Sequence, residues 1–387
     1  MLYFDHNATT PVAPEVADAM IAALREVYGN PSSTHSQGQA ARQRLEAARR
    51  TIAEALGASS AEFVFTSGGT ESNNLAILGI LRALAGKPRH AITTAIEHPS
   101  VLECFRQLER EAFEVSYLPP DRHGMIDPGA VANALQPQTA LVSVMHANNE
   151  VGTVQRVAAI AALVRECRAA GQEIYLHSDG VQALGKVGLD LDVLGVDLYS
   201  VSAHKIYAPK GVGGLYVRKG TPLHGIQLGG RHERERRAGT ENVPGAIAFA
   251  RAVELCSADE PIRCSTLRDR FEERILAIEG VERNGPLAGR LPNTSNLLFH
   301  GISGEALLIA LDMQGMAVST GSACSSGSIE PSHVLLAMGR TVDEARSSIR
   351  FSFGRYNSAE EIDRLAEVVI ACAGRLRKAK AREVQLV

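Results

Sequence analysis

Between residues 60 and 220, apolar positions fall in short runs rich in β-branched residues, and these runs alternate with segments of helical periodicity. Short apolar runs bounded by turn residues are typical of buried strands, and longer amphipathic segments such as VAAIAALVRECRAAG (157–171) are typical of helices. The alternation predicts an α/β fold with a mostly parallel seven-stranded sheet covered on both faces. The predicted strands are EFVF (62–65), HAITTA (90–95), FEVSYL (113–118), ALVSVMHA (140–147), EIYLHS (173–178), LYSVSA (198–203) and GGLYVRK (213–219).

The pattern changes after residue 260. STLRDRFEERILAIEG (265–280) predicts a helix, TSNLLFHG (294–301) a strand and SGEALLIALDMQG (303–315) a second helix, which together indicate a smaller α+β domain. The Pro-containing stretch SADEPIRC (257–264) is the expected boundary. We therefore expect a large domain over 15–258 and a small domain formed by 1–14 and 259–387.

Composition limits the class of protein. The 387 residues are 45% hydrophobic with a formal charge of −3, which fits a globular chain and gives no electrostatic reason to bind nucleic acid or an anionic membrane. The N-terminal stretch shows no signal-peptide pattern and no apolar run is long enough to span a bilayer, so we expect a cytoplasmic protein. The six cysteines show no C-x-x-C spacing, and we expect neither a resident metal site nor a dithiol redox motif.

Polar residues follow several predicted strands, where the carboxyl ends of a parallel sheet would bring them together. TSGGTESNN (66–74) is a Gly-rich turn that opens a helix, and the N-terminal N–H groups of such a helix suit a phosphate. His98 and the pair Asn148 and Asn149 follow two further strands. Each feature alone is common in α/β proteins, and a lone histidine there is more often structural. Their coincidence indicates a ligand site.

An acid and a lysine complete this set. Asp179 ends EIYLHS, and Lys205 follows LYSVSA directly after His204. A lysine is costly to bury unless it is paired or covalently used. One interpretation is a structural Asp179–Lys205 ion pair. The other is a pyridoxal phosphate site, in which the lysine binds the cofactor aldehyde as a Schiff base and the acid pairs with the pyridinium nitrogen.

Nine motifs occur in order from residue 3 to about residue 360: YFDHNATTPV, GNPSSTHSQG, FTSGGTESNN, EHPSV, MHANNEVGT, SDGVQALGK, SAHKIYAPKGVG, RRAGTEN and STGSACSSGS. Together they resemble the cysteine desulfurases of the class-V aminotransferase family, which are fold-type I enzymes dependent on pyridoxal phosphate. The long Gly/Ser-rich stretch that carries Cys324 is similar to that of the nitrogenase-associated and housekeeping iron–sulfur group.

The resemblance implies a role for each motif residue. Lys205 would bind the cofactor and later move the substrate Cα proton, and His98 would stack on the ring. Arg350 would bind the substrate carboxylate as a fork, although without the family a surface charge on a strand would be the preferred interpretation. The other implied contacts are Gly69, Thr70, Ser202 and His204 at the phosphate, Asp179 at the ring nitrogen, Gln182 at the ring hydroxyl oxygen, and Asn149 beside ring and substrate.

The same resemblance implies the chemistry of Cys324. Its thiolate would take the sulfur of L-cysteine as a persulfide and leave L-alanine. The nearby glycines, Gly321 and Gly327, give the freedom to reach first the cofactor and then an acceptor. The acceptor stays open among an iron–sulfur scaffold, a tRNA thiolation protein and a nitrogenase-linked system. Cys324 is also a candidate transient ligand of a shared iron–sulfur cluster.

Two further expectations come from the family. RHERERRAGTEN (231–242) resembles a solvated charge run, but in the family it crosses a two-fold dimer, so Thr240 would contact the phosphate of the partner's cofactor in a homodimer. The sequence departs from the family at Gly180, where alanine is common. Selenocysteine lyase, another β-lyase or an aminotransferase, and a non-catalytic scaffold protein stay as alternatives.

Overall fold

A computed structural model describes residues 1–84, 90–320 and 330–385, with side chains up to residue 379. Cys324 lies outside the described residues. The strands are β1 Leu2–Tyr3, β2 Phe63–Thr66, β3 His90–Thr94, β4 Glu114–Leu118, β5 Thr139–Ser143, β6 Tyr175–Asp179, β7 Leu198–Ser202, β8 Gly213–Val217, β9 Val281–Asn284, β10 Thr294–Phe299, β11 Met316–Ala317 and β12 Ser348–Ser352.

The helices surround these strands. None of those described is long and apolar enough to cross a membrane. Three short 3₁₀ turns cover Ser60–Glu62, Ala203–Lys205 and His232–Glu235. The α-helices are α1 Pro14–Glu26, α2 Ser36–Ala55, α3 Gly69–Ala83, α4 Pro99–Arg110, α5 Pro128–Ala134, α6 Val157–Ala169, α7 Leu191–Leu194, α8 Val243–Glu254, α9 Asp259–Leu276, α10 Gly304–Asp312, α11 His333–Ala337, α12 Val342–Arg346 and α13 Ala359–Gln385.

All seven predicted strands form one sheet, in the order β2-β8-β7-β6-β5-β3-β4. The five strands from β7 to β4 run parallel, whereas β8 is antiparallel to both β7 and β2. Every residue of β5 and of β7 is buried, as expected for strands covered by helices on both faces. The prediction of a mostly parallel α/β fold is confirmed. Strand β5 ends at Ser143, earlier than predicted, because the residues that follow leave the ladder to line a cavity.

A second core lies beside this sheet. The antiparallel strands β12-β10-β9 pack with α9, α10 and α13 around Phe271, Phe351 and Phe353, and Phe4 from the N-terminus joins them. The division into 15–258 and 1–14 with 259–387 stays a prediction, since Ala13, Val334 and Leu335 pack in the core of the large sheet. Helix α9 begins earlier than the predicted 265, because Pro261 is tolerated in a first turn that needs no N–H donor.

Candidate active site

A cavity of about 290 Å³ opens where the parallel strands β3, β5, β6 and β7 end. Ten of the residues singled out from the sequence line it: Gly69, Thr70, His98, Asn149, Asp179, Gln182, Ser202, His204, Lys205 and Arg350. Thr240 is exposed and does not line it. Residues that the sequence reasoning left without a role complete the wall: Asn7, Ala8, Asn73, Ser100, Met145, Ala147 and Val181.

The carboxylate of Asp179 is held by two donors at the end of β6. Asn73 donates to Oδ2 at 2.7 Å, and the backbone N–H of Val181 donates to Oδ1 at 2.9 Å. The residue is 6% exposed. Both donors leave the carboxylate oxygens oriented as hydrogen-bond acceptors. The carboxylate therefore suits a protonated ring nitrogen.

A chain of hydrogen bonds links this acid to His98. The Asn73 amide donates also to Ser100 Oγ at 2.9 Å, and Ser100 Oγ lies 2.8 Å from His98 Nδ1. The Ser100 backbone N–H donates to the same Nδ1, so His98 caps α4 and its proton is on Nε2. Burial lowers the pKa of His98, which keeps the ring neutral. His98 thus has both the structural role of a cap and a place in the cavity wall.

Lys205 lies on the 3₁₀ turn that follows β7. Its Nζ donates to the carbonyl oxygens of Asn7 and Ala8 at 2.6 and 2.7 Å. Both acceptors belong to the N-terminal segment, which lines the cavity at the carboxyl ends of the strands. The sequence carried a signal for this contact, because Asn7 stands in the motif YFDHNATTPV, but local pattern gave no reason to place it beside the lysine.

The N-terminus of α3 forms an anion-binding corner of the cavity. No side chain caps this helix, and a Cβ at Gly69 would lie 2.7 Å from Val181 Cγ2. Ser202 Oγ is buried and has no hydrogen-bond partner. His204 is neutral, because burial and then the charge of Lys205 lower its pKa to about 4. The Thr9 hydroxyl oxygen lies 3.1 Å from His204 Nδ1. An unused hydroxyl at an uncapped helix N-terminus fits a phosphate, so the residues present fit pyridoxal phosphate.

Arg350 lies on β12 and is 3% exposed, so the interpretation as a surface charge is wrong. It donates to Asp5 Oδ1 at 2.7 Å and to the Asn149 carbonyl at 3.0 Å. Its Nε has no partner although it is buried. The guanidinium therefore lines the cavity with one donor unused, and its forked geometry suits a small carboxylate.

The departure at Gly180 has a packing cause. A Cβ at this position would lie 1.9 Å from Tyr199 Cζ, so alanine and Tyr199 exclude each other. The Tyr199 hydroxyl lies 2.7 Å from His146 Nδ1, and burial lowers the pKa of His146 to about 4. The tyrosine ring thus occupies the space that the missing Cβ leaves directly behind Asp179.

The described cysteines are all free thiols. Burial raises the pKa of Cys104 to about 12 and the pKa of Cys256 and Cys264 to about 11, which leaves these thiols unreactive. Cys264 lies buried on α9 rather than in a polar loop. No cluster of three or more metal-ligating side chains occurs within residues 1–84, 90–320 and 330–385.

Comparison with known proteins gives consistent results. The family model described as aminotransferase class-V matches residues 2–365. The chain is 47% identical to the cysteine desulfurase IscS of Dictyoglomus turgidum, over 97% of this chain and 95% of that protein. It is similar to the solved structure of a NifS-like protein, with a TM-score of 0.89, 38% identity and coverage of 95% and 98%. It is also similar to SspA in complex with cysteine, with a TM-score of 0.81, 36% identity and coverage of 92% and 100%.

Proposed function

This chain belongs to the class-V aminotransferase family, and we infer that it is a cysteine desulfurase that uses pyridoxal phosphate to remove sulfur from L-cysteine. The observation that carries the inference is a single cavity that combines an amine, a held carboxylate and a buried guanidinium, from Lys205, Asp179 and Arg350. Cysteine is also the ligand of one similar solved structure.

Each residue of the cavity would have its own role in binding or in proton transfer. When bound, the cofactor supplies a ring that withdraws electrons from the substrate Cα and so makes its proton acidic. Lys205 would hold the cofactor and move the proton at Cα, and Arg350 would orient the substrate through its carboxylate. Asp179 would keep the ring nitrogen protonated, and His98 would lie against the ring. The remaining contacts would come from Gly69, Thr70, Ser202 and His204 at the phosphate, with Gln182 and Asn149 at the ring.

We assign the acceptance of sulfur to Cys324. Its thiolate attacks the substrate sulfur, an S–S bond forms, and the C–S bond breaks with its electron pair going to carbon, which then takes a proton. The sum is L-cysteine plus the Cys324 thiol giving L-alanine plus the Cys324 persulfide. The residues on either side of the segment that carries Cys324 lie close to the cavity. Ser319 pairs with Arg350, which lines the cavity, and Ser332 donates at 2.5 Å to Glu150, which follows the cavity residue Asn149.

The length of chain between Ser319 and Cys324 is also compatible with this role. Residue 324 is five residues from Ser319, which pairs with the cavity residue Arg350, and an extended chain spans about 17 Å over that number. The pKa values of three described thiols, Cys104, Cys256 and Cys264, are raised, which makes them poor nucleophiles.

The proposal also includes the oligomeric state, the sulfur acceptor and the location of the protein. The chain would act as a homodimer in which exposed Thr240 contacts the phosphate of the partner's cofactor. A protein acceptor, such as an iron–sulfur scaffold, would take the sulfur from Cys324. The free thiols of the five described cysteines fit a reducing, cytoplasmic location.

The test is to add L-cysteine and a reductant to the protein loaded with pyridoxal phosphate, and to assay alanine and sulfide together. We expect equal amounts of both. Cys324→Ala should keep the bound cofactor and its absorbance but lose both products, whereas the matched thiol variant Cys167→Ala, at a half-buried site on α6, should behave as the parent. Alanine formation that persists in Cys324→Ala would overturn the persulfide assignment.

A further inference from the structure

Lys186 lies directly behind the cavity and has no part in the chemistry proposed above. Its Nζ donates to Gln182 Oε1 at 2.5 Å and to Asn7 Oδ1 at 3.3 Å. Both acceptors are neutral amide oxygens, and no ion pair between described residues includes Lys186. A lysine without an ion-pair partner is costly even at a partly buried position such as this one.

The surroundings make its charge more costly still. Burial and then the positive charge of Lys205 lower the pKa of Lys186 to about 7, and Arg350 lowers it further, whereas Cys264 and Glu260 act in the opposite direction. The imidazoles of His6 and His204 also lie within its field. Because Glu260 and Cys264 offset these effects only in part, an ammonium group at this position favours an anion in the cavity beside it.

Lys186 also helps to fix which way two amides point. In its charged form it only donates, so the groups that face it are the oxygens Gln182 Oε1 and Asn7 Oδ1, in agreement with the other hydrogen bonds of these two amides. The Gln182 amide nitrogen is therefore turned away from Lys186. One of its hydrogens goes to the Asn7 carbonyl oxygen at 2.9 Å, and Gln182, with a second hydrogen left, lines the cavity.

We propose that Lys186 is a positioning residue for the anionic ring oxygen of the cofactor: it locks Gln182 with an N–H toward the cavity and adds a positive charge behind it. The inference rests on the proposed use of pyridoxal phosphate. Without Lys186 the Gln182 amide keeps a single anchor, the Asn7 carbonyl oxygen, and an amide that turned over would present its own oxygen and repel an anionic oxygen.

The test compares Lys186→Met with Lys219→Met, which replaces an exposed lysine and leaves the cavity unchanged. Cofactor-free protein is titrated with pyridoxal phosphate, and the visible absorbance of the loaded protein is followed against pH. Lys186→Met should weaken cofactor binding by roughly tenfold, as expected for a hydrogen bond to a charged group, and raise the pH at which the absorbance changes. Lys219→Met should match the parent in both.

A structural role would have a different signature. Because the folded-state pKa of about 7 lies below the usual 10.5, the buried charge destabilises the cofactor-free protein most below pH 7, and this effect fades as the pH rises to 10.5. Lys186→Met should therefore raise the melting temperature of the cofactor-free protein near pH 7 while it weakens cofactor binding. A loss of both stability and affinity would overturn the proposal in favour of a purely structural lysine.

A double-mutant cycle with Gln182→Ala tests the route of the effect. If Lys186 acts through Gln182, Lys186→Met should add little to the loss of affinity in the Gln182→Ala background. Fully additive losses would overturn the positioning role. Failure of the parent protein itself to bind pyridoxal phosphate would instead overturn the proposed function, so the two failures are distinguishable.

Discussion

Individual side chains of the site are held in different ways. Arg350 is held by the counter-charge of Asp5, whereas neutral donors, an amide and a backbone N–H, orient the carboxylate of Asp179. The packing behind it is as specific, because Tyr199 fills the space that Gly180 leaves open. A residue that departs from the family pattern is thus explained by a second residue on the neighbouring strand β7.

Gly180→Ala should destabilise the protein, since the new Cβ would overlap the Tyr199 ring. Overpacking of this kind costs about 1–3 kcal/mol, and the 1.9 Å contact places it toward the upper end. Urea unfolding of the cofactor-free protein measures it. Gly188→Ala, whose Cβ would meet nothing within 4 Å, is the matched control and should change stability by less than about 0.5 kcal/mol. A neutral Gly180→Ala, or no recovery in Gly180→Ala with Tyr199→Leu, would contradict the packing explanation.

Among the secondary-structure elements, the 3₁₀ turn His232–Glu235 is the most strained. Glu233, Arg234 and Glu235 have φ of 47°, 57° and 67°, and each left-handed non-glycine residue costs about 1–2 kcal/mol. A buried ion pair holds the turn, with Glu233 Oε2 2.5 Å from Arg49 Nη1 on α2. The Phe65 N–H donates to the same carboxylate oxygen at 2.9 Å. The turn precedes Thr240, so this anchor fixes the segment proposed to reach the partner subunit.

Glu233→Gln should lower the free energy of unfolding by up to about 3–5 kcal/mol, because it removes the buried carboxylate of the pair and leaves the Arg49 guanidinium with only the partly exposed Glu46 as counter-charge. Chemical denaturation gives the value. Glu254→Gln removes the exposed partner of Arg251 and should cost less than about 1 kcal/mol. Equal effects of the two substitutions would show that the buried pair does not anchor the turn.

In the whole molecule, the N-terminal segment joins the two cores. Phe4 packs in the core of the smaller sheet, and Asn7 bonds to residues of both parts. Its side-chain amide donates to Thr294 on β10 and to the Asn149 carbonyl, while its own carbonyl accepts from Gln182 and Lys205. Relative placement of the two cores and geometry of the cavity are therefore coupled through a few N-terminal residues.

Asn7→Ala should destabilise the whole fold, since it removes the side-chain hydrogen bonds that join Asn7 to Asn149, Asn293 and Thr294. Each lost hydrogen bond costs about 1 kcal/mol, and thermal unfolding should show a lower midpoint. Asn133→Ala, an exposed residue on α5, is the control and should leave the midpoint near that of the parent. An unchanged midpoint in Asn7→Ala would mean that the segment does not couple the cores.

Much of the fold and of the site could be predicted from local sequence. The seven strands of the large sheet followed from apolar periodicity. His98, Asp179 and Lys205 were predicted as site residues because parallel strands bring their carboxyl ends to one edge of the sheet. The motifs supplied the family and hence the cofactor. The start of α9 was placed late, because a proline in a first helical turn has the same appearance as one in a boundary loop.

The sequence by itself thus determined the strands, the family and the residues that follow the strands, because each of these depends on neighbours close along the chain. Only the tertiary structure decided that Asn73 holds Asp179, that Arg350 is buried beside Asp5, and that Lys186 faces Gln182 and Asn7. The contacts of Asp179 and Arg350 join residues 106 and 345 positions apart. No local periodicity records such a pairing, since hydrogen bonds and charges act over distance in space and not along the sequence.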